Sequence, residues 1–161
     1  MLNSTSLSVH SNGPAQSCAI AATLAPRLVP SDVILLTGDI GAGKTHFARC
    51  LIQSLLHTPE DVPSPTYTLV QTYAVPTGEL WHADLYRLTS TSEVFELGLI
   101  DAFVDAICLI EWPDRLGDLA PAGALHLALT QGAGDDEREM MFRWKQGDWA
   151  DKLRGIGDEH T

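Results

Sequence analysis

The eight residues Gly38-Asp39-Ile40-Gly41-Ala42-Gly43-Lys44-Thr45 have the types and spacing of a complete phosphate-binding loop, G-x-x-x-x-G-K-S/T. Glycines at positions 38, 41 and 43 let backbone N–H groups turn inward onto a phosphate with no Cβ in the way. Lys44 is placed to reach the β- and γ-phosphates of a nucleoside triphosphate, and the Thr45 hydroxyl to ligate Mg²⁺. Only three lysines occur in the whole chain, so a chance match to this pattern is rare.

That chemistry calls for more residues. A metal–triphosphate site needs a carboxylate near the loop threonine, and such a group ordinarily closes a neighbouring apolar strand. Glu111 closes the run Ala106-Ile107-Cys108-Leu109-Ile110, and Asp84 closes Leu80-Trp81-His82-Ala83. Both are expected at the site, Glu111 nearer the ion and Asp84 acting through water or orienting an attacking water. The competing reading of either is a solvated acid at a strand end. Trp112 lies between Glu111 and Pro113, where the chain must turn. Its indole either covers the nucleotide or a partner surface, or fills the rim of the core. Ser64-Pro65-Thr66-Tyr67-Thr68 offers hydroxyls where nucleotide switches sense a γ-phosphate, or forms an ordinary proline turn. His46 reads as a solvated first-turn histidine rather than a catalyst, and His82 as a satisfied sheet residue rather than a base.

These residues need a scaffold. Val33 to Thr37 reads as the buried strand feeding the loop, and Lys44 to His57 as a helix with Phe47, Leu51, Ile52, Leu55 and Leu56 on one face. The N-terminus of that helix would turn its free N–H groups and dipole toward the phosphates. Thr5 to Val9 reads as an edge strand, Ser11 to Pro14 as a turn, and Ala15 to Leu28 as a helix. After a loop from Pro59 to Pro65, Tyr67 to Tyr73 is a predicted strand that turns at Pro76-Thr77-Gly78 into Glu79 to Asp84. A helix over Ser90 to Leu99, capped by Ser90 or Thr91, precedes a central strand over Ala106 to Ile110. Strands at Ala124 to Thr130 and Arg138 to Lys145, then a helix over Asp148 to Arg154, complete the chain. Strands alternating with helices predict a three-layer α/β, P-loop NTPase-like fold. Its central sheet would be mixed and mainly parallel, with a C-terminal β-ribbon. Residues 1–161 are expected to form a single domain, with 1–10 and 156–161 free to fray. In such sheets ligands sit beyond the carboxyl ends of the strands, which again selects Asp84 and Glu111.

Composition narrows the functions. Of the 161 residues 45% are hydrophobic, as in a soluble globular protein, and no leader or membrane span is evident. Cys18, Cys50 and Cys108 are odd in number and widely spaced; they read as buried thiols in a reducing cytoplasm rather than as disulfides or a zinc site. The net charge is −11, with ten scattered basic residues. Direct binding to tRNA needs a concentrated basic surface, so any service to RNA chemistry is expected to run through a protein partner.

Taken in order, GDIGAGKT followed by FAR, SPTYTLVQ-Y, H-x-DLYRL, E-LGL-D-F and AICLIEWP-R resembles the bacterial TsaE family, the small ATPases of tRNA threonylcarbamoyladenosine biosynthesis. The resemblance runs from about Val33 to Trp112 and is weaker on both flanks. It implies a P-loop α/β fold that binds ATP and Mg²⁺ and works with TsaB and TsaD. Gly41, Ala42, Gly43, Lys44, Thr45 and His46, with Gly38 and Asp39 before them, would then hold the phosphates. Thr45 and Glu111 would serve Mg²⁺, while Asp84 and Trp112 would serve hydrolysis or its coupling. There are departures from the family pattern. His46 replaces a second threonine, and Ser11, Asn12 or Ser17 stands where an adenine contact is expected. Arg138 sits where the family often places a basic residue near the nucleotide, although a surface pairing with Asp135 or Asp136 also fits. Beside the partner-dependent ATPase stand a small-molecule or nucleoside kinase and a non-hydrolysing ATP-bound adaptor. Kinases cluster arginines around the transferred phosphoryl group, whereas Arg115 stands nearly alone after the central strand.

Overall fold

The computed structural model describes residues 5–39 and 41–156; Ile40 of the loop lies outside them. One sheet of seven strands carries the molecule, in the order β1-β7-β6-β2-β5-β4-β3. The strands are β1 (Ser6–Ser11), β2 (Val33–Thr37), β3 (Val70–Val75), β4 (Gly78–Asp84), β5 (Ile107–Glu111), β6 (Leu125–Gln131) and β7 (Arg138–Arg143). The middle of the sheet, β6-β2-β5-β4, is parallel. Both margins are antiparallel: β1 and β7 on one side, β3 on the other. The β6–β7 pair is the expected ribbon, and β1 extends it.

Burial explains the strand compositions. Val33 to Leu36 of β2 and all of β5 are buried because helices cover the sheet on both faces there. On one face Ile34, Leu36, Leu109 and Leu127 pack with α1 (Pro14–Leu24) and α2 (Lys44–Leu55). On the other, Val33, Leu35, Cys108 and Ile110 pack with α3 (Ser92–Glu96) and α4 (Leu99–Asp105). A short helix, α5 (Trp149–Lys152), buries Trp149 against the first cluster. β6 instead alternates, with Leu125, Leu127 and Leu129 buried and His126 exposed, because only one face of the ribbon is covered. No helix among the described residues is long and apolar enough to cross a membrane.

Several boundaries differ from expectation. The helix expected over Ser90 to Leu99 is the shorter α3, and an unexpected second helix, α4, follows it, because Gly98 adopts a left-handed conformation (φ 84°) and redirects the chain. β3 begins at Val70 rather than Tyr67, since Leu69 also has positive φ (70°) and its N–H closes a turn on the Pro65 carbonyl. The edge strand expected over Thr5 to Val9 is present as β1, so residues 6–10 are paired strand rather than a frayed end, while 1–4 and 157–161 lie outside the described residues. The thiol reading of Cys18 and Cys50 is wrong. The two residues are joined as a disulfide across the packed α1–α2 pair, with Cα atoms 5.2 Å apart. A separation of 32 residues concealed that proximity. Cys108 is the free, buried thiol that was expected, and burial pushes it up to about 12.

Candidate active site

The parallel registers set the geometry. Leu36 of β2 lies beside Glu111 of β5, which in turn lies beside Asp84 of β4. The carboxyl ends of three adjacent strands therefore finish level. The glycine loop leaving β2 faces the two acids.

The loop is shaped by its glycines. Gly38, Gly41 and Gly43 have φ of 146°, 85° and 105°, a region that side chains rarely occupy. A Cβ on Gly38 would stand 2.5 Å from the Leu129 carbonyl oxygen, so the loop lies directly against β6. At Gly41 a Cβ would meet nothing within 4 Å, and the residue lines the cavity described below. Arg138 braces the loop from behind: its Nε donates to the Ala42 carbonyl at 2.9 Å and its Nη2 to that of Gly41 at 3.3 Å. Its Nη1 is held by the Asp135 and Glu137 carbonyls, so the expected pairing with an Asp135 or Asp136 side chain is not the one observed.

Lys44, buried at 5% exposure, donates to the carbonyls of Gly38 and Asp39, the latter at 3.2 Å. Its Nζ also lies 4.2 Å from the centre of the Trp112 ring. Burial lowers the pKa of this ammonium, while the charges of Glu111, Asp84 and Asp39 work in the opposite direction. Thr45 Oγ1 donates to Glu111 Oε1 at 2.8 Å. The other oxygen of that carboxylate, Oε2, lies 2.7 Å from Nε2 of His82. Asp84 accepts from the Tyr86 N–H at 3.0 Å, and its second oxygen lies 3.5 Å from Thr66 Oγ1. Thr66 in turn shares a 2.7 Å hydroxyl contact with Ser64. Trp112 holds a left-handed backbone (φ 58°, ψ 54°), which turns its indole back over Lys44, with the Tyr86 ring 4.8 Å away.

Together these residues line a cavity of about 430 Å³ bounded by Gly41, Lys44, Thr66, Asp84, Glu111 and Trp112. A smaller cavity of about 220 Å³ shares Gly41, Gly43 and His46 with it and continues to Ser17, Asp136 and Arg138. The arrangement combines a backbone cradle, one ammonium, one hydroxyl and two carboxylates. Among the described residues no three His, Cys, Asp or Glu side chains form a cluster that would hold a metal alone. A divalent cation here would share Thr45 and Glu111 with oxygens of a ligand.

Of the residues singled out from sequence, Lys44, Thr45, Asp84, Glu111 and Trp112 all meet in the larger cavity. His46 lines both cavities, and its Nε2 lies 3.0 Å from the Pro14 carbonyl, tying α2 to the start of α1. Ser11 and Ser17 are buried and engaged with each other at 2.7 Å. Asn12 is exposed, its N–H on the Gln16 side chain. Two residues were missed. Tyr86 was given no role, and His82 was dismissed although it touches Glu111. The available signal was the H-x-D spacing, which puts His82 and Asp84 on one face of a strand.

The sheet order and the cavity at its carboxyl edge define a P-loop-like α/β protein. The chain belongs to the TsaE family: the model for "Threonylcarbamoyl adenosine biosynthesis protein TsaE" matches residues 11–140. The tRNA threonylcarbamoyladenosine biosynthesis protein TsaE of Rickettsia bellii is 37% identical over 138 residues, 86% of this chain and 93% of that protein. The protein of the same name from Bacillus subtilis is 38% identical over 130 residues, 80% of each. The crystal structure of Bacillus subtilis YdiB superposes with a TM-score of 0.74 at 27% identity, covering all of both chains.

Proposed function

We propose that this chain is the Mg²⁺-dependent ATPase of tRNA threonylcarbamoyladenosine biosynthesis, acting in the cytoplasm with TsaB and TsaD rather than on tRNA directly. Membership of the TsaE family supports the pathway. One observation carries the chemistry: the Thr45 hydroxyl and the Glu111 carboxylate meet at 2.8 Å at the mouth of a glycine loop with Lys44 beside them. Hydroxyl, carboxylate and phosphate oxygens are hard ligands of the kind Mg²⁺ takes. When bound, the cation neutralises charge on the phosphoryl oxygens.

The protein's own groups do the rest. Lys44 exchanges the Gly38 and Asp39 carbonyls for phosphate oxygens, trading neutral acceptors for charged ones. Asp84, next to Thr66, accepts a hydrogen bond from the attacking water and orients it. Trp112 and Tyr86, with rings 4.8 Å apart, form an aromatic part of the cavity wall. The triphosphate occupies the larger cavity and the nucleoside the smaller one, through the Gly41, Gly43 and His46 they share.

Among the described residues no arginine lines the larger cavity. Arg115 instead donates to the Tyr86 carbonyl at 3.1 Å, and Arg138 braces the loop. This disfavours a kinase, which clamps the transferred group with cations, and it makes intrinsic hydrolysis slow. A missing arginine finger is worth roughly 10³- to 10⁵-fold in related hydrolases. The test is ATP turnover with and without TsaB–TsaD, together with tRNA analysis after gene deletion. Turnover should rise strongly with the partners, and threonylcarbamoyladenosine should disappear from tRNA. Full partner-independent turnover, or phosphate transfer to a small alcohol, would move the assignment to a stand-alone hydrolase or a kinase.

A further inference from the structure

We infer that His82 is a positioning residue for the metal carboxylate, holding one oxygen of Glu111 so that the other faces Thr45. The inference rests on the ATPase reading above and adds a residue to it. His82 has no exposed surface and sits in β4 among apolar neighbours, on the face that carries Leu80, Tyr73 and Leu109. An apolar side chain would suit that position better than an imidazole, because Nδ1 is buried with no hydrogen-bond partner among the described residues. The ring is not serving the core.

What the ring does serve is visible at Nε2. It lies 2.7 Å from Glu111 Oε2, and an ionised carboxylate only accepts, so Nε2 carries the proton. Glu111 is itself 2% exposed and has one oxygen on His82 and the other on Thr45. Its carboxylate plane is therefore set by two donors on different elements, β4 and α2. A carboxylate so pinned needs no reorganisation to take a cation, whereas an untethered one must give up rotamer freedom. Loss of such outer partners of a metal ligand typically costs about 10- to 100-fold in metal affinity or activity.

The experiment measures Mn²⁺ affinity for the protein–ATP complex by electron paramagnetic resonance, with metal-free ATP affinity and thermal unfolding as controls. His82→Leu should weaken Mn²⁺ by about 10- to 100-fold and leave metal-free ATP binding unchanged. His82→Gln, whose amide nitrogen reaches the position of Nε2, should restore wild-type affinity to within about threefold, while the shorter His82→Asn should not. In a Glu111→Gln background His82→Leu should cost nothing further, because the group it positions is gone. Mn²⁺ affinity that is unchanged in His82→Leu, or equal in the Gln and Asn variants, overturns the inference. If His82→Leu does not fold, the Gln–Asn pair decides. Should wild-type protein itself fail to bind ATP, the ATPase reading falls instead, a result distinct from any His82 outcome.

Discussion

The phosphate loop and the acidic wall facing it are built by opposite means. The loop is a run of consecutive residues whose binding groups are backbone amides, shaped by glycine dihedrals at Gly38, Gly41 and Gly43. The wall is assembled from two strands; His82 and Glu111 stand 29 residues apart and meet through strand register. A slip of one residue between β4 and β5 would turn Asp84 to the opposite face and dissolve the wall, yet leave the loop intact. The difference teaches where each half is vulnerable. Local geometry governs the loop, and long-range packing governs the wall.

The two halves can be separated by substitution. The largest effect should come from Lys44→Ala, which removes the loop's one ammonium and with it charge-assisted contacts worth about 1.5–3 kcal/mol each. ATP binding by calorimetry should be lost with the fold retained, and wild-type affinity would remove the loop from the site. Glu111→Ala should reverse the pattern, cutting hydrolysis by about 10²-fold or more while affinity falls far less. If both quantities stay near wild type, the wall is reduced to Asp84. Gly38→Ala attacks the loop through its backbone, since the added methyl meets the Leu129 carbonyl at 2.5 Å. It should cost about 1–3 kcal/mol in chemical denaturation and weaken ATP without altering the metal dependence. Smaller still is the contrast of Trp112→Gly with Trp112→Ala. Both lose the indole over Lys44, but glycine tolerates the left-handed backbone, so it should be the more stable by about 1 kcal/mol. Equal stability would show that the turn has rearranged.

Protons give a further handle on the loop. Burial holds Lys44 below the ordinary lysine range, so it loses its charge at a lower pH than an exposed lysine does. Neutral Lys44 binds phosphate less well. ATP affinity should therefore fall as pH rises through that value, and binding there should take up a proton, because the bound anion favours the charged form. Calorimetry in buffers of different ionisation enthalpy measures that uptake. Its absence in wild type would mean that Lys44 does not face the phosphates.

Legibility in the sequence followed the same division. The loop and its strand and helix could be read directly, because each is specified by adjacent residues. Glu111 and Asp84 could be found from strand ends, since an acid that terminates an apolar run in a parallel sheet lies at the ligand edge. The H-x-D spacing puts His82 on the face of β4 that carries Asp84, but only the pairing with β5 shows that Glu111 shares that face. Arg138 was placed near the ligand, but only the fold reveals that it holds the loop by its carbonyls. The Cys18–Cys50 bridge depends on the packing of two helices and has no short-range signature.

The stacking of Trp112 against Lys44 also gives the chain an optical gauge. Its indole stands 4.2 Å from the ammonium that a γ-phosphate would claim, whereas Trp144 and Trp149 lie in the core and Trp81 packs beside Gly98. Indole emission responds to a nearby charge, so drawing Lys44 onto a ligand should change the fluorescence of Trp112 and leave the other three nearly constant. A titration of unlabelled protein with unlabelled nucleotide would then report loop occupancy directly, and the signal should vanish in Trp112→Phe while binding persists.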